Sequence, residues 1–274
     1  MQTFRKIDWN QAWRDDYRGS MRGDDREFWN RRAPSFARHV QDDGADEYVE
    51  SFLRILNPQP EWSVLDVGCG PGTLALPLAK RVGRVTALDF SSAMIEILRA
   101  RKTSEGIGNL TEYLASWEDD WQAAGIERHD VAVASRSWGS GDLKEMISKL
   151  TQFAIRRVFV SYTVGDGPFD PRIQRAVGRE PRSNPDYIYL YNLLHQMGIH
   201  ANVEMIEQKT RAYVDEDEAV NSLRFMVDNA TPAEEEALRR FVSAHLVPAG
   251  KLWRLDGMRA VEWAVIWWRV RQEP

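Results

Sequence analysis

The sequence predicts an α/β fold in which a mostly parallel sheet is covered by helices on both faces. Three observations lead to this prediction. Short strands rich in Val and Leu alternate with helical segments over residues 62–162, which is typical of parallel sheets. A glycine-rich turn follows the first strand. The second strand ends in an acidic residue, Asp89, and this pairing of turn and acid is typical of nucleoside-binding sheets.

The first 56 residues are predicted to be helical. Trp9, Trp13 and Tyr17 are four residues apart and form one stripe on a helix, which either packs on the body of the protein or serves as a flap over a ligand. Residues 45–56 have helical period, and the Pro-containing segment 57–60 ends that helix.

The α/β region follows. Strands are predicted at 62–67, 84–89, 110–115, 130–135 and 157–162, and helices at 73–81, 91–102 and 142–154. Beyond it we predict a loop at 165–171, a helix from Asn184 (N-cap) and Pro185 to about 197, a strand at 201–210, helices at 215–227 and 231–245, and strands at 251–256 and 261–269. We therefore expect an N-terminal helical flap or cap over residues 1–45. The main domain then spans 46–274, with cap insertions at about 165–200 and 215–247.

Composition narrows the function classes. The 274 residues carry a net charge of −5, whereas proteins that bind nucleic acid through its phosphates usually show a basic excess. The chain has one cysteine and five histidines without metal-ligand spacing, so neither a disulfide nor a metal site is expected. No long apolar run and no signal-peptide core is visible. We therefore expect a cytoplasmic protein that binds neither nucleic acid nor membrane.

The most informative stretch is residues 64–72, VLDVGCGPG. Glycines at 68, 70 and 72 let the backbone turn tightly and approach a ligand, and the start of the next helix adds free N–H groups. A carboxylate at the end of the second strand, here Asp89, can accept hydrogen bonds from a ribose diol. Loop and acid together predict a nucleoside-type cofactor.

The charge beside the loop distinguishes two such cofactors. Dinucleotide sites carry G-x-G-x-x-G, whereas this chain has no glycine at Thr73, and Asp66 would repel a pyrophosphate. A carboxylate at that position suits an ammonium group instead. S-adenosylmethionine has an ammonium, a sulfonium and a ribose diol but no phosphate, so the electrostatics favour it over NAD. An NAD-dependent oxidoreductase is the weaker alternative.

The segments VLDVGCGPG and ALDFSSAMI resemble motifs I and II of the class I S-adenosylmethionine-dependent methyltransferases, and are closest to the small-molecule branch that includes the ubiquinone and menaquinone enzymes. The resemblance covers residues 60–162. It implies a Rossmann-like, doubly wound sheet of seven strands, mostly parallel, with an antiparallel last strand and a helical cap.

The resemblance also implies cofactor-binding residues. They are Asp66, Gly68, Cys69, Gly70, Pro71, Gly72, Asp89, Phe90, Ser91, Met94, Ser116, Trp117 and Ser135. The glycine loop lies against the methionine part, Asp66 near the amino group and Asp89 on the ribose. Phe90 and Met94 pack around the adenine, and Ser135 lies where the methyl-transfer chamber opens. The adenine edge is contacted after the third strand, where Glu118 and Asp119 stay open as alternatives to Ser116 and Trp117.

Methyl transfer needs a protein mainly to position two reactants and exclude water, so the sequence identifies no catalytic residue. Candidate substrate residues are Trp29, Arg32, Trp138, Tyr191 and His195. Trp29 and Arg32 resemble a segment that closes over the cofactor. His195 is a candidate base, although packing of its helix on the body is the simpler interpretation.

The prediction is S-adenosylmethionine-dependent methyl transfer to a small molecule. An RNA or protein methyltransferase, or a non-catalytic S-adenosylmethionine-binding protein, are the alternatives. Methylation of cytosine C5 needs a nucleophilic cysteine near the fourth strand, but Cys69 lies in the glycine loop. The segment after that strand, ASRSW, also lacks the paired prolines that accompany methylation of adenine amines.

Overall fold

The computed structural model describes residues 7–19, 26–42, 45–137, 141–181, 185–227 and 229–271. Nine strands lie in this part of the chain: β1 (Ser63–Val67), β2 (Arg84–Asp89), β3 (Leu110–Leu114), β4 (His129–Ser135), β5 (Ala154–Thr163), β6 (Asn202–Gln208), β7 (Leu246–Ala249), β8 (Leu252–Leu255) and β9 (Val261–Arg269). Seven of them form one sheet in the order β3-β2-β1-β4-β5-β9-β6.

The sheet is parallel from β3 to β5, and β9 runs antiparallel to both of its neighbours. The predicted fold class, a seven-stranded Rossmann-like sheet with an antiparallel last strand, is therefore confirmed. The two halves of the sheet meet at β1 and β4, where the strand order reverses. Ligands bind at such a point, beyond the carboxyl ends of the strands.

Helices cover both faces of the sheet. The described helices are α1 (Trp9–Gly19), α2 (Arg26–Asp42), α3 (Ala45–Leu56), α4 (Ala75–Ala79), α5 (Ser92–Ser104), α6 (Leu143–Phe153), α7 (Pro171–Ala176), α8 (Tyr187–Gln196), α9 (Glu216–Leu223) and α10 (Pro232–His245), with a 3-10 turn at Arg224–Met226. One core joins α3, α4 and α5 to the sheet, and a second joins α1, α6 and α8 to its other face. Burial of alternate strand residues on the two faces holds the three layers together.

The stripe on α1 packs on the body of the protein. Trp13 is fully buried. Its ring centroid lies 5.3 Å from that of Tyr162 on β5 and 5.6 Å from that of Tyr17. Arg14 forms a salt bridge with Asp142 at the start of α6. Since apolar burial and aromatic contacts both fix α1, the first helix packs against the second core.

A third core lies apart from the sheet. It is formed by α7, α9, α10 and β8, with buried residues such as Ile173, Leu223, Leu238 and Leu255. The predicted strand at 251–256 therefore joins a hairpin with β7 rather than the main sheet. By contrast α8, which belongs to the same predicted insertion as α7, packs on the sheet.

One helix was not predicted, and the predicted start of another is wrong. Helix α7 follows the loop predicted at 165–171 and overlaps it only at Pro171. Asp170 accepts a hydrogen bond from Arg172 N–H and Pro171 occupies the first turn, which are helix-start features. Helix α8 begins two residues later than predicted, with Asp186 as its N-cap. Asn184, the expected cap, lies outside the described residues.

Candidate active site

The turn after β1 requires glycine for two reasons. Gly68 has φ +69°, a left-handed conformation that residues with a Cβ adopt only at a cost. A Cβ placed on Gly68 would also lie 2.3 Å from the Cβ of Ser137. The N–H groups of Gly68 and Cys69 both donate to the carbonyl oxygen of Leu88, at 2.7 and 2.9 Å. The turn is thereby fixed against the end of β2.

Gly70 and Gly72 face different surroundings. A Cβ on Gly70 would meet only the Phe36 ring, at 3.8 Å, whereas a Cβ on Gly72 would lie 2.6 Å from Cδ1 of Leu98 in the core. Gly70 therefore leaves open space beside the turn, where a ligand can approach the backbone. Gly72 permits close packing of the turn on α5.

Asp89 joins the turn to the start of α5. Its Oδ2 accepts a hydrogen bond from Gly70 N–H and its Oδ1 accepts one from Ser91 N–H, both at 2.8 Å. Each carboxylate oxygen can accept a further hydrogen bond, so Asp89 can still bind a diol. Burial raises the pKa of Asp89 to about 6.

Asp66 lies on β1 beneath the same turn and is almost completely buried. Its Oδ2 has no hydrogen-bond partner in the described part of the chain. Burial and the nearby Asp89 raise its pKa to about 7. Because a buried carboxylate oxygen without a donor is costly, Asp66 fits a ligand that brings a cation such as an ammonium.

These groups line a cavity of about 420 Å³ at the carboxyl end of the sheet. Its lining residues are Arg26, Trp29, Phe36, Asp66, Gly68, Cys69, Gly70, Thr73, Leu74, Asp89, Phe90, Met94, Ser116, Trp117, Glu118, Ser135, Arg136 and Ser137. The volume is typical of small-molecule sites. Paired acids, an open backbone turn and apolar walls suit a nucleoside that carries an ammonium group.

The predicted site residues separate into two groups. The structure brings together Trp29, Asp66, Gly68, Cys69, Gly70, Asp89, Phe90, Met94, Ser116, Trp117 and Ser135 in this lining. Pro71, Gly72, Ser91, Arg32, Tyr191 and His195 lie outside it. Trp138 lies outside the described residues.

The residues outside the lining have other contacts. Ser91 caps α5, and the guanidinium of Arg32 lies 4.6 Å from the Phe225 ring in the third core. Tyr191 and His195 are exposed because α8 turns its leucines toward the sheet. His195 of α8 is therefore not part of the cavity lining.

The two acids in the segment after β3 have different surroundings. Glu118 lines the cavity. The Oδ2 of Asp119 instead accepts a hydrogen bond from Ser116 N–H at 2.8 Å, which shapes the loop. Lys149 donates to the carbonyl oxygen of Trp117 at 2.6 Å. Of the two acids, Glu118 is therefore the one in the cavity lining.

Helix α2 forms one wall of the cavity. Arg26, Trp29 and Phe36 follow helical spacing and present one face to it. Asn30 attaches this helix to α5, because its Oδ1 accepts hydrogen bonds from Ser91 Oγ at 2.7 Å and from Ala93 N–H at 3.4 Å. The position of Trp29 at the cavity thus depends on Asn30.

We expect Asn30→Ala to lower the free energy of unfolding by about 1–2 kcal/mol, because it removes a hydrogen bond and leaves buried groups without a partner. It should also weaken binding of S-adenosylmethionine several-fold, since α2 is held less firmly at the cavity. Urea unfolding and calorimetry measure the two effects. Arg31→Ala, on the exposed side of the same helix, is the control, and an equal loss in both variants would contradict this role.

The raised pKa of Asp66 has a consequence for stability. The folded protein keeps this proton up to about pH 7, whereas the ordinary pKa is 3.8. Over that range the unfolded chain binds fewer protons, so the contribution of Asp66 to stability declines as the pH rises.

We therefore expect the difference in free energy of unfolding between Asp66→Asn and the wild type to shift in favour of the variant as the pH rises toward 7. Urea unfolding at several pH values measures this difference. Parallel profiles for the two proteins would show that Asp66 is not protonated in the folded state.

Six lining residues were not predicted from the sequence: Arg26, Phe36, Thr73, Leu74, Arg136 and Ser137. The spacing of Arg26 and Phe36 relative to Trp29 could have indicated the first two. Arg136 and Ser137 directly follow Ser135, and their position at the same sheet edge was available from the strand prediction.

The described residues provide neither a metal site nor a membrane span. They contain no group of three or more His, Cys, Asp or Glu side chains that could hold a metal ion. Among the described helices, none combines the length and apolar character that a membrane span requires.

The chain is similar to known methyltransferases in part of its sequence and in its fold. A family model described as a methyltransferase domain matches residues 64–153. An uncharacterized protein of Haemophilus influenzae is 34% identical over 247 residues, which are 88% of each chain. The 23S rRNA (uracil(1939)-C(5))-methyltransferase RlmD of Methylococcus capsulatus is 30% identical over 104 residues, 37% of this chain and only 24% of that enzyme.

A solved structure shares the fold. The magnesium protoporphyrin IX methyltransferase ChlM of Synechocystis, crystallised with bound SAH, matches with a TM-score of 0.53 and 19% identity. The match covers 68% of this chain and 92% of that one.

Proposed function

We propose that this chain is a class I S-adenosylmethionine-dependent methyltransferase and that it methylates a small-molecule acceptor in the cavity beside the glycine turn, a proposal supported by the methyltransferase domain model that matches residues 64–153. S-adenosylmethionine supplies an activated methyl group when bound. The observation that carries the small-molecule proposal is the wall formed by Arg26, Trp29 and Phe36 of α2, which bounds one side of the space next to the glycine turn. A small acceptor fits such a space better than a polymer does.

In this proposal the cofactor is held by the residues at the ends of β1, β2 and β3. Asp66 accepts from the amino group through the oxygen that has no partner in the described residues. Asp89 accepts from the ribose hydroxyls. Phe90 and Met94 pack on the adenine, and Glu118 lies at the adenine edge. All three residues line the cavity.

The chain's contribution to the reaction is positioning and exclusion of water. The end of β4 supplies the acceptor side, where the hydroxyl of Ser135 is hydrogen-bonded to the hydroxyl of Tyr48 at 2.7 Å. No histidine is among the residues that line the cavity in the described part of the chain. We therefore propose an acceptor atom that reacts without a histidine base.

The partial match to RlmD raises an RNA substrate as the second candidate. Methylation at C5 of a pyrimidine is aided by a cysteine thiolate that adds to the ring. Cys69 is the chain's one cysteine. It is buried, and burial raises the pKa of its thiol well above the ordinary value. A thiolate at Cys69 is disfavoured, and the net charge of −5 also disfavours RNA.

The test is transfer of a radiolabelled methyl group from S-adenosylmethionine into a cell extract separated into metabolites, RNA and protein. We expect label in the metabolite fraction, dependent on Asp89. Label that appears in RNA or in protein would overturn the small-molecule proposal. Binding of S-adenosylmethionine without label in any fraction would favour the non-catalytic alternative.

A further inference from the structure

Arg136 is a cavity residue with an unusual backbone. It directly follows β4 and lines the cavity between Ser135 and Ser137. Its φ is +56°, a conformation that costs a residue with a Cβ roughly 1–2 kcal/mol. Strain of this kind persists where surrounding structure enforces it and is frequent at ligand sites. The side chain is half-buried.

An aromatic platform holds the guanidinium in place. Its Cζ lies 4.1 Å from the centroid of the Tyr48 ring and 5.2 Å from that of Trp263. Both distances are within the range of cation–π attraction. The two rings therefore fix the position of this charge, whereas the charge of an arginine on the open surface would be mobile.

The platform is itself rigid. Tyr48 is fully buried, and its hydroxyl is hydrogen-bonded to Oγ of Ser135 at 2.7 Å and to Oγ of Ser161 at 2.6 Å. Nε1 of Trp263 donates to Oε1 of Gln208 at 3.1 Å. The backbone N–H of Arg136 donates to Oγ of Ser161 at 3.1 Å. Strands β4, β5, β6 and β9 together position one cation.

The hydrogen-bonding capacity of this cation is unused. A guanidinium carries five N–H donors, yet none of them donates a hydrogen bond or forms an ion pair to a described residue. The two rings attract the charge but do not replace the hydrogen-bond acceptors that water provided. Burial lowers the pKa of Arg136. A partly desolvated cation without an acceptor is costly, and a bound anion removes that cost.

We propose that the methyl acceptor bears a carboxylate and that Arg136 binds it, an inference that rests on the proposed methyltransferase function. The planar guanidinium can hold both oxygens of a carboxylate at once. The rings of Tyr48 and Trp263 contact the guanidinium without accepting hydrogen bonds from it in its plane, and Arg136 lines the cavity, so its N–H donors are left for a ligand there. The acceptor atom lies elsewhere on the same molecule, and Arg136 fixes its orientation.

The cofactor also carries a carboxylate, beside its amino group. Asp66, the proposed partner of that amino group, lies on β1, on one side of β4. The guanidinium of Arg136 packs on Trp263 of β9, a strand on the other side of β4. We therefore assign Arg136 to the acceptor.

The test uses protein saturated with S-adenosylhomocysteine and matched pairs of acids and amides. The probes are benzoate and benzamide, phenylacetate and phenylacetamide, indole-3-acetate and indole-3-acetamide, and butyrate and butyramide. Ligand-detected NMR and calorimetry measure their affinities. We expect at least one acid to bind about tenfold to a hundredfold more tightly than its amide. If no acid binds more tightly than its amide, the proposal is overturned.

Two variants identify the residue responsible. Arg136→Met removes the charge and Arg136→Lys keeps it without the planar fork, and both retain a Cβ at the same backbone conformation. We expect the methionine variant to lose the preference for acids and the lysine variant to keep part of it, with unchanged affinity for S-adenosylhomocysteine. A preference that survives in Arg136→Met overturns the proposal. Loss of S-adenosylhomocysteine affinity in that variant assigns Arg136 to the cofactor instead.

The same titrations separate the two proposals. If wild-type protein does not bind S-adenosylhomocysteine, the proposed methyltransferase function fails and the acid–amide comparison has no basis. If it binds S-adenosylhomocysteine normally and shows no preference for acids, only the assignment of Arg136 fails.

Discussion

Asp89→Ala is expected to weaken binding of S-adenosylmethionine by about a hundredfold or more. The substitution removes the carboxylate that we propose accepts from both ribose hydroxyls, and each hydrogen bond to a charged group contributes about 1.5–3 kcal/mol. It also removes the hydrogen bonds that the N–H groups of Gly70 and Ser91 donate to Asp89 in the wild type, at 2.8 Å each. Because the turn then loses its attachment to α5, the loss of affinity should exceed that of the ribose contacts alone.

The control for this variant is Asp130→Asn. Asp130 also links neighbouring segments, but at the opposite end of the sheet. Its Oδ2 accepts a hydrogen bond from Ser63 N–H at 2.9 Å, and its Oδ1 forms an ion pair with Arg156. We expect this variant to be less stable and to bind S-adenosylmethionine as the wild type does. Calorimetric titration measures the affinities and urea unfolding the stabilities. A reduction of affinity of less than tenfold in Asp89→Ala would remove Asp89 from the site.

Gly68→Ala is expected to lower the free energy of unfolding by about 2–5 kcal/mol. The left-handed backbone accounts for roughly 1–2 kcal/mol of this loss. Overpacking against Ser137, whose Cβ is 2.3 Å from the position of the new methyl group, accounts for about 1–3 kcal/mol more. Movement of Ser137 also weakens two hydrogen bonds, from its Oγ to Val67 O at 2.6 Å and from Trp117 Nε1 to its carbonyl oxygen at 3.2 Å.

Gly125→Ala is the matched control for the backbone contribution. Gly125 has φ +79°, and a Cβ there would meet no atom within 4 Å. Its replacement should lower the free energy of unfolding by only roughly 1–2 kcal/mol. Urea unfolding of the two variants measures the difference. If both variants lose the same free energy of unfolding, the contact with Ser137 does not restrict the turn.

The fold could be predicted largely from local patterns. Strands β1 to β5 are short apolar runs flanked by turns, and each lies within two or three residues of its predicted position. The hairpin of β7 and β8 could not be predicted in this way, because its partner choice depends on the third core that Leu255 enters. Helix α7 was not predicted although Asp170 and Pro171 give an ordinary helix start, since the Gly and Pro residues before it favoured only the loop that ends there.

The site residues likewise divide into those that a local motif reveals and those whose role depends on tertiary contacts. Asp66, Gly70 and Asp89 lie in short motifs whose chemistry is visible in the sequence, and all three line the cavity. The guanidinium of Arg136 contacts Tyr48 on α3 and Trp263 on β9, which are distant from it in sequence. Tyr48 follows the apolar period of its helix, so nothing local distinguishes it from a core residue. Roles that depend on such long-range contacts require the tertiary structure.

The cofactor assigned to this cavity is tested by calorimetric titration of the wild-type protein with S-adenosylmethionine, S-adenosylhomocysteine and NAD in parallel. The buried carboxylates of Asp66 and Asp89 favour a ligand with an ammonium group and no phosphate. We predict micromolar binding of both adenosyl compounds and no binding of NAD. Binding of NAD alone, or of none of the three, would contradict the assignment of this cavity to S-adenosylmethionine.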